Sequence, residues 1–312
     1  MSQTEGTAVR DIQIRKKPLL KRMRMNGVSY LFSLPYFIIF FIFTVTPVLL
    51  SMILSFTSFN MLEFPKFIGL DNYLRMFLDD NVFIIALKNT LILAAITGPI
   101  SYIMALLLAW LINDLKPWLR ALVTVVFYAP TLSGNALLVW TVLFSSDAYG
   151  YANGWLINWG LITTPIRFFN DTKYMFGCVI VVVLWASLGT TFLSFIAGLQ
   201  GVDRSLYEAG AIDGIKNRWQ ELWFITLPAM RPQLLFGAVM SIGAAFGIGD
   251  VVTQLCGYPS TDYAVQTIVL HMTDYGGQRY EMGYASAIAT VLFLLMILTN
   301  TLVQKFIHKI GE

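Results

Sequence analysis

Glu208-Ala209-Gly210-Ala211-Ile212-Asp213-Gly214 is the stretch on which the reading of this chain turns, continuing through Trp219 to Leu227-Pro228 and Arg231-Pro232. It is a polar interruption between two long apolar runs. Asp203 stands where it can cap a short helix over 204–212, about two turns. Gly214 then lets the chain reverse, because glycine accepts the left-handed conformation that ends many helices. A second helix is expected over 219–227, with Pro228 and Pro232 kinking or delimiting it. Ala209, Gly210 and Ala211 are small, so another surface can approach this helix closely. Glu208 and Asp213 offer acids to bases on that surface. An ordinary loop between two spans has the same helix–Gly–helix form, so physics alone leaves both readings open.

The flanking runs set the class. Of 312 residues, 57% are hydrophobic and only 12% are charged, against about 25% charged in a soluble domain. With a mean hydropathy of +0.67 this is the composition of an integral membrane protein. About 20 apolar residues cross a bilayer, and six charge-poor runs are long enough: 25–62, 89–113, 121–146, 174–202, 232–249 and 282–304. Backbone in lipid must satisfy its own hydrogen bonds, so these are expected to be helices. A seventh uncharged run, 148–166, holds three glycines, a proline and two asparagines, and reads as an external loop with an interfacial helix, a re-entrant segment being the alternative. With the N-terminus inside, 15 of the 21 Lys and Arg residues fall on inner segments and 6 on outer ones. The positive-inside rule then puts both termini and the loop 201–231 in the cytoplasm.

The expected fold class is an all-α integral membrane protein with six transmembrane helices. Its parts are a basic cytoplasmic segment 1–28, a first helix with an external segment 29–82, a five-helix core 83–307 and a tail 308–312. The first run is too long for a secretory signal and lacks a cleavage pattern, so it is read as retained. The bases from Arg15 to Arg24 fit positive-inside topology and would also suit anionic membrane lipid.

Polar residues inside the spans are the candidates for function. Tyr128, Pro130, Thr131, Ser133 and Asn135 crowd the third run, and polarity at that depth faces protein or a cavity. Trp185, Ser187, Gly189, Thr190, Thr191 and Ser194 mark the fourth, where small and hydroxyl residues serve close packing or a narrow polar passage equally well. Asp250 lies near the outer end of the fifth, as a functional acid or as a carboxylate that reaches the interface. Trp155 and Trp159 suit the aromatic belt, and stacking on a sugar ring is the alternative. Cys178 and Cys256 have no metal-ligand spacing. A disulfide between them is conceivable, and two buried thiols are the simpler expectation. His308 stands without a metal partner. The stretch Gly210 to Lys216 lacks the spacing and the preceding strand of a phosphate-binding loop.

The loop resembles the cytoplasmic "EAA" loop of permease subunits in binding-protein-dependent ABC importers, which reads roughly E-A-A-x-x-D-G, then about a dozen residues, then I-x-L-P. Glu208, Ala209, Asp213, Gly214, Ile225, Leu227 and Pro228 match. Gly210 replaces the second alanine, Ile215 stands where a small residue is usual, and the distance from Gly214 to Pro228 is one residue longer. Phe67-Ile68-Gly69-Leu70-Asp71-Asn72-Tyr73 is similar to the F-x-G-L-x-N-Y element that follows the first span in sugar-type permeases. Trp185, Gly189 and Gly198-Leu199-Gln200 fit the pattern before the loop, and Met282-Gly283-Tyr284-Ala285-Ser286-Ala287 resembles the opening of the last span.

The resemblance runs from about residue 31 to the end. It implies the type I ABC importer permease fold, of the maltose or oligosaccharide-uptake class, in a bacterial cell membrane. It implies that the loop is a coupling helix for an ATPase, with Glu208, Ala209, Gly210, Asp213 and Gly214 as its contacts. Tyr128, Asn135, Trp185, Thr190, Thr191, Ser194 and Asp250 become the candidate substrate path. The implied partners are a second homologous permease, two ATP-binding subunits, an extracellular solute-binding protein and membrane lipid. No nucleic acid is expected. No cofactor is expected on this chain, ATP and Mg being used by the partner ATPase, and no enzyme site is visible. Other solutes fit the same importer: a polyol, glycerol phosphate or a peptide. An ion-coupled secondary transporter would call for inverted repeats and buried acids, and Asp250 is the one acid in or beside a span.

Overall fold

The computed structural model of this chain describes residues 27–308. The bases from Arg10 to Arg24 and Lys309 lie outside the described residues, and so does the side chain of His308. The chain divides into two compact units, Met1–Leu50 and Ser51–Glu312.

In the first unit α1 (Gly27–Phe40) passes into a π-helical turn, Phe41–Val45, and then into α2 (Thr46–Leu54). Pro47 explains the turn. It has no N–H to give, and its ring would press on the carbonyl four residues back. The ladder widens, and both the N–H and the hydroxyl of Thr46 donate to the Phe41 carbonyl, the hydroxyl at 2.9 Å.

In the second unit the helix expected over 25–62 stops at Leu54, and a short antiparallel pair follows, β1 (Thr57–Ser58) with β2 (Lys66–Phe67). Gly69, at φ +63°, turns the chain into α3 (Asp71–Leu78). From α3 Asn72 Nδ2 donates to the Ser55 and Thr57 carbonyls at 2.8 and 3.0 Å, and the Tyr73 hydroxyl donates to Ser55 Oγ at 2.8 Å. The F-I-G-L-D-N-Y element is thus a clasp on residues 55–57.

Helix α4 (Asn81–Asn113) begins ahead of the expected residue 89, because Asp80 Oδ1 caps it by accepting the Phe83 N–H at 2.9 Å. It passes Gly98-Pro99 as one helix. Helix α5 (Pro117–Leu132) starts with proline at the position where a missing N–H costs nothing. The third run departs from expectation here. Residues 133–137 leave the helix, and α6 (Leu138–Leu143) resumes it. Pro130 removes a ladder bond, the Thr131 hydroxyl turns to the Tyr128 carbonyl at 2.7 Å, and Ser133-Gly134-Asn135 has turn composition. The single span expected over 121–146 is therefore a broken helix. The other five runs form helices long and apolar enough to cross a membrane: Tyr30–Leu54, Asn81–Asn113, Thr172–Gln200, Arg231–Cys256 and Met282–Ile307.

Helix α7 (Tyr151–Asn158) is the short helix expected in the seventh run. Fully buried Asn153 holds its loop, donating to the Ser145, Asp147 and Ile166 carbonyls and accepting the Ile166 N–H. The fourth span is α8 (Thr172–Ala186) and α9 (Thr190–Gln200). The loop holds α10 (Arg204–Ile212), α11 (Arg218–Glu221), a π-helical turn Leu222–Thr226 and α12 (Leu227–Ala229). The fifth span is α13 (Arg231–Phe246) and α14 (Asp250–Cys256). Then come α15 (Ile268–Thr273), a π-helical turn Asp274–Gln278 and α16 (Met282–His308).

At the centre, Ala105 and Ala109 on α4 admit Phe192 and Phe195 of α9 and Leu234 and Ala238 of α13. A second cluster around Met76, Phe83, Ile268, Tyr284 and Ile288 joins α3, α4, α15 and α16. The Gly283 N–H donates to the Phe59 carbonyl at 2.9 Å, and a Cβ there would overlap the Thr57 carbonyl. Close approach of the β1 strand therefore requires glycine in the G-Y-A-S-A opening. Cys178 and Cys256 are free thiols within one apolar cluster.

Candidate functional site

The loop folds as its sequence dictates. Asp203 Oδ1 accepts the Ser205 N–H at 3.0 Å and starts α10. Hydrogen bonds from the Ser205 N–H and hydroxyl hold the Asp203 carboxyl below the usual carboxylate range, so the charged cap persists further into acid than a free carboxylate would. The Asp213 and Ile215 N–H groups close the helix on the Ala209 and Gly210 carbonyls at 3.0 and 2.9 Å, and Gly214 turns the chain at φ +94°. Asn217 caps α11 by accepting the Gln220 N–H at 2.9 Å. The second helix expected over 219–227 is α11, the π-turn and α12 in succession. A π-turn houses one residue more than an α-turn, which absorbs the extra residue between Gly214 and Pro228.

Helix α10 has two faces. Its inner face packs on the π-turn, where the Tyr207 and Thr226 hydroxyls are 2.9 Å apart. Buried Gly210 faces Ile225 and Ile215, and a Cβ there would meet their Cδ1 atoms at 2.6 and 3.0 Å. Glycine at 210 and isoleucine at 215 therefore complement each other. The outer face carries Glu208, Ala209, Asp213 and Ile212, all exposed, with Ile212 87% exposed. The side chains of Glu208 and Asp213 make no hydrogen bond or ion pair among the described residues. Gly210→Ala weighs two opposed effects: a helix gain of about 1 kcal/mol and an overpacking cost of roughly 1–3 kcal/mol. We expect a net loss of thermal stability that Ile225→Val relieves in the double variant. Strict additivity of the two changes would refute the contact.

The candidate path residues divide into three settings. Thr191 is buried between α9 and α13, its hydroxyl 3.4 Å from the Gly237 carbonyl and 3.3 Å from Ser241 Oγ. Trp185 is half-buried, edge to face with Trp140 at 5.5 Å between centroids. A Cβ on Gly189 would lie 3.6 Å from Thr131 Cγ2, so α9 begins beside the end of α5. Tyr128 and Ser194 are half-buried, and Asn135 and Thr190 are exposed. The structure thus gathers Thr131, Gly189 and the Trp140–Trp185 pair around the break between α5 and α6, and keeps Thr191 in the helix packing. Asp250 is not at an outer end, since α14 continues for about 10 Å beyond it. Its carboxylate is exposed, without a partner among the described residues. The fifth span breaks at 247–249, just before it.

At the opposite end from the loop, a buried charge network escaped the sequence reading. Asp80 Oδ2 accepts from the Tyr284 hydroxyl at 2.8 Å and lies 2.8 Å from His271 Nε2. The two side chains are 9% and 3% exposed. Burial opposes ionisation of Asp80. The hydrogen bonds from His271, the Phe83 N–H and Tyr284 outweigh it and hold the carboxyl well below the usual range. Arg75 lies 4.3 Å from the Tyr284 ring centroid and pairs with Glu281, while Arg279 pairs with Asp274 at 2.7 Å. The network ties α3, α4, α15 and α16 together. An Asp just before a long apolar helix was its one legible sign. Among the described residues no three His, Cys, Asp or Glu side chains gather as metal ligands.

Residues 98–311 match the family described as binding-protein-dependent transport system inner membrane component. The chain is 31% identical over 286 residues to the probable ABC transporter permease protein YesP of Bacillus subtilis, covering 90% of each chain. It is 31% identical over 284 residues to the lactose transport system permease protein LacF of Rhizobium radiobacter, covering 89% of this chain and 91% of that one. Among solved structures it shares the fold of a bacterial ABC transporter involved in the import of the acidic polysaccharide alginate. That likeness has a TM-score of 0.71 at 24% identity and covers 92% of this chain and 98% of the other. The same fold recurs, at a TM-score of 0.73, in the alginate transporter in complex with an alginate pentasaccharide-bound periplasmic protein.

Proposed function

Because the chain belongs to the family of binding-protein-dependent transport system inner membrane components, we propose that it forms half of the translocation pathway of an ATP-driven importer for a sugar or oligosaccharide. It is a multi-pass inner membrane permease, not an enzyme. Six spans with both termini in the cytoplasm follow from the distribution of Lys and Arg, the broken third run counting as one of them. The observation that carries the reading is α10: a helix packed on one face, with a second face of small, acidic and apolar residues left open. That face docks on a separate ATPase, with Glu208, Ala209 and Asp213 in contact, while Gly210 and Gly214 shape the helix and its turn. ATP and Mg are used there, on two ATP-binding subunits.

The break at 133–137 supports a second permease and a polar path. Irregular backbone at membrane depth is tolerated only against protein or a water-filled cavity. Exposed Asn135 and Thr190 at that break, with Tyr128, Trp185 and Ser194 along the same spans and Asp250 at the break of the fifth, form the side of the path given by this chain. Thr191 supports it through the α9–α13 packing. An external binding protein delivers the solute, and ATP-driven closure of the partners moves α10 and turns the cavity from inside to outside. A sugar is favoured over a polyol, glycerol phosphate or peptide because relatives such as LacF are named for sugars and the spans carry few charges.

With Cys178 and Cys256 replaced by alanine, Asn135→Cys should react with a water-soluble maleimide in the assembled importer. The rate should change when the ATPases are trapped with a non-hydrolysable nucleotide. A thiol that stays unreactive in every state would exclude Asn135 from the path.

A further inference from the structure

We propose that the cavity behind α10 binds a phospholipid headgroup carrying both a phosphodiester and a primary ammonium. The cavity has a volume of about 670 Å³ and lies between the α4–α5 turn, the end of α9, α10 and α11. Its charged and amide lining is Arg120, Arg204, Arg218, Asp114, Glu221, Asn113 and Gln200, the last exposed and able both to give and to accept. Part of this lining is already committed. Arg218 pairs with Asp114 at 2.5 Å and lies 4.7 Å from the Trp110 ring centroid. Arg120 gives one N–H to the Asn113 carbonyl at 3.1 Å and keeps its others.

Besides the exposed Gln200 amide, three groups are left over, and they have mixed chemistry. The Arg204 guanidinium and the Glu221 carboxylate make no hydrogen bond or ion pair among the described residues. Asn113 Oδ1 is buried without a donor. Buried acceptors are nearly always paired, so this one is served only where an N–H or O–H reaches it through the cavity wall. An occupant must therefore bring acceptors for Arg204 and Arg120 and donors for Glu221 and Asn113. A phosphodiester with a primary ammonium does both. A glycerol headgroup can give an O–H, but it brings no cation to balance its phosphodiester beside the Glu221 carboxylate. A choline headgroup has no N–H to give.

The surroundings fit a headgroup. Trp118, Trp219 and Trp223 are 67%, 64% and 62% exposed on the segments that bound the cavity, as indoles at the headgroup level are. On the orientation proposed above, with which this site stands or falls, the cavity opens at the cytoplasmic interface, where basic pockets between spans hold lipid headgroups.

The test is native mass spectrometry of the full chain, delipidated in detergent and titrated with phosphatidylethanolamine, phosphatidylcholine or phosphatidylglycerol of identical acyl chains. The ethanolamine lipid should be retained in preference to both others. Glu221→Gln should abolish its advantage over phosphatidylcholine, and Arg204→Gln should lower retention of both. The proposal falls if ethanolamine has no advantage in the parent, if phosphatidylglycerol is preferred, or if neither variant changes the ranking. It also falls if a photo-crosslinker at position 221 in the assembled importer captures the ATPase and no lipid.

Discussion

Glu208→Lys should leave the chain folded and inserted but reduce solute uptake by roughly thirty-fold or more in cells carrying the whole importer. Folding is spared for a local reason. Glu208 is exposed on α10 and makes no side-chain hydrogen bond or ion pair among the described residues, and surface changes of that kind stay within about 0.5 kcal/mol. Lysine forms helix as well as glutamate. On the proposed docking of α10, the loss comes from the interface with the ATPase instead. A carboxylate desolvated against a basic surface is worth roughly 2–5 kcal/mol when its partner is left alone, and reversal adds like-charge repulsion. The assay is uptake set beside membrane abundance, with solute-stimulated ATP hydrolysis in the reconstituted complex. Normal stimulation in the variant would remove Glu208 from coupling.

Asp80→Ala should have the larger effect on stability. It removes the acceptor for the Tyr284 hydroxyl, the partner of His271 and the cap on the Phe83 N–H in one step. His271 and Tyr284 are 3% and 2% exposed, so water does not replace what is lost. Each buried polar group left unsatisfied costs about 1–3 kcal/mol, and the lost cap about 1 kcal/mol more. Little folded protein should survive gentle detergent extraction. Asp80→Asn retains an acceptor and should recover a good part of the yield. Equal yields for alanine and parent would show that the network does not hold α3, α4, α15 and α16 together.

Much of the fold was legible because a bilayer restricts the choices. Charge-poor runs located five long helices to within a few residues at one end of each, and Asp203 and Gly214 wrote the loop's first cap and its turn openly. What misled was the run of hydrophobicity itself. Residues 57–62 are apolar enough to extend the first span, yet Asn72 and Tyr73 take up the backbone of 55–57 and end the helix there. The third run is free of charge throughout, and a search for charge-poor runs is blind to the break that Pro130 and Ser133-Gly134-Asn135 make. The fifth run closes at 249 on the charge of Asp250, whereas the helix resumes at Asp250 and continues to Cys256. The Asp80–His271–Tyr284 network joins residues as many as 204 positions apart, a pairing no local pattern announces. Gly210 and Ile215 were each visible as departures, and only the packing of Ile215 and Ile225 against Gly210 shows that they answer one another.

The most direct measurement is gentle purification of the tagged chain from its native membrane, with identification of whatever accompanies it. The account predicts an ATP-binding subunit and a second permease of the same family. A chain that purifies alone, and moves solute down an ion gradient when reconstituted in liposomes, would contradict it.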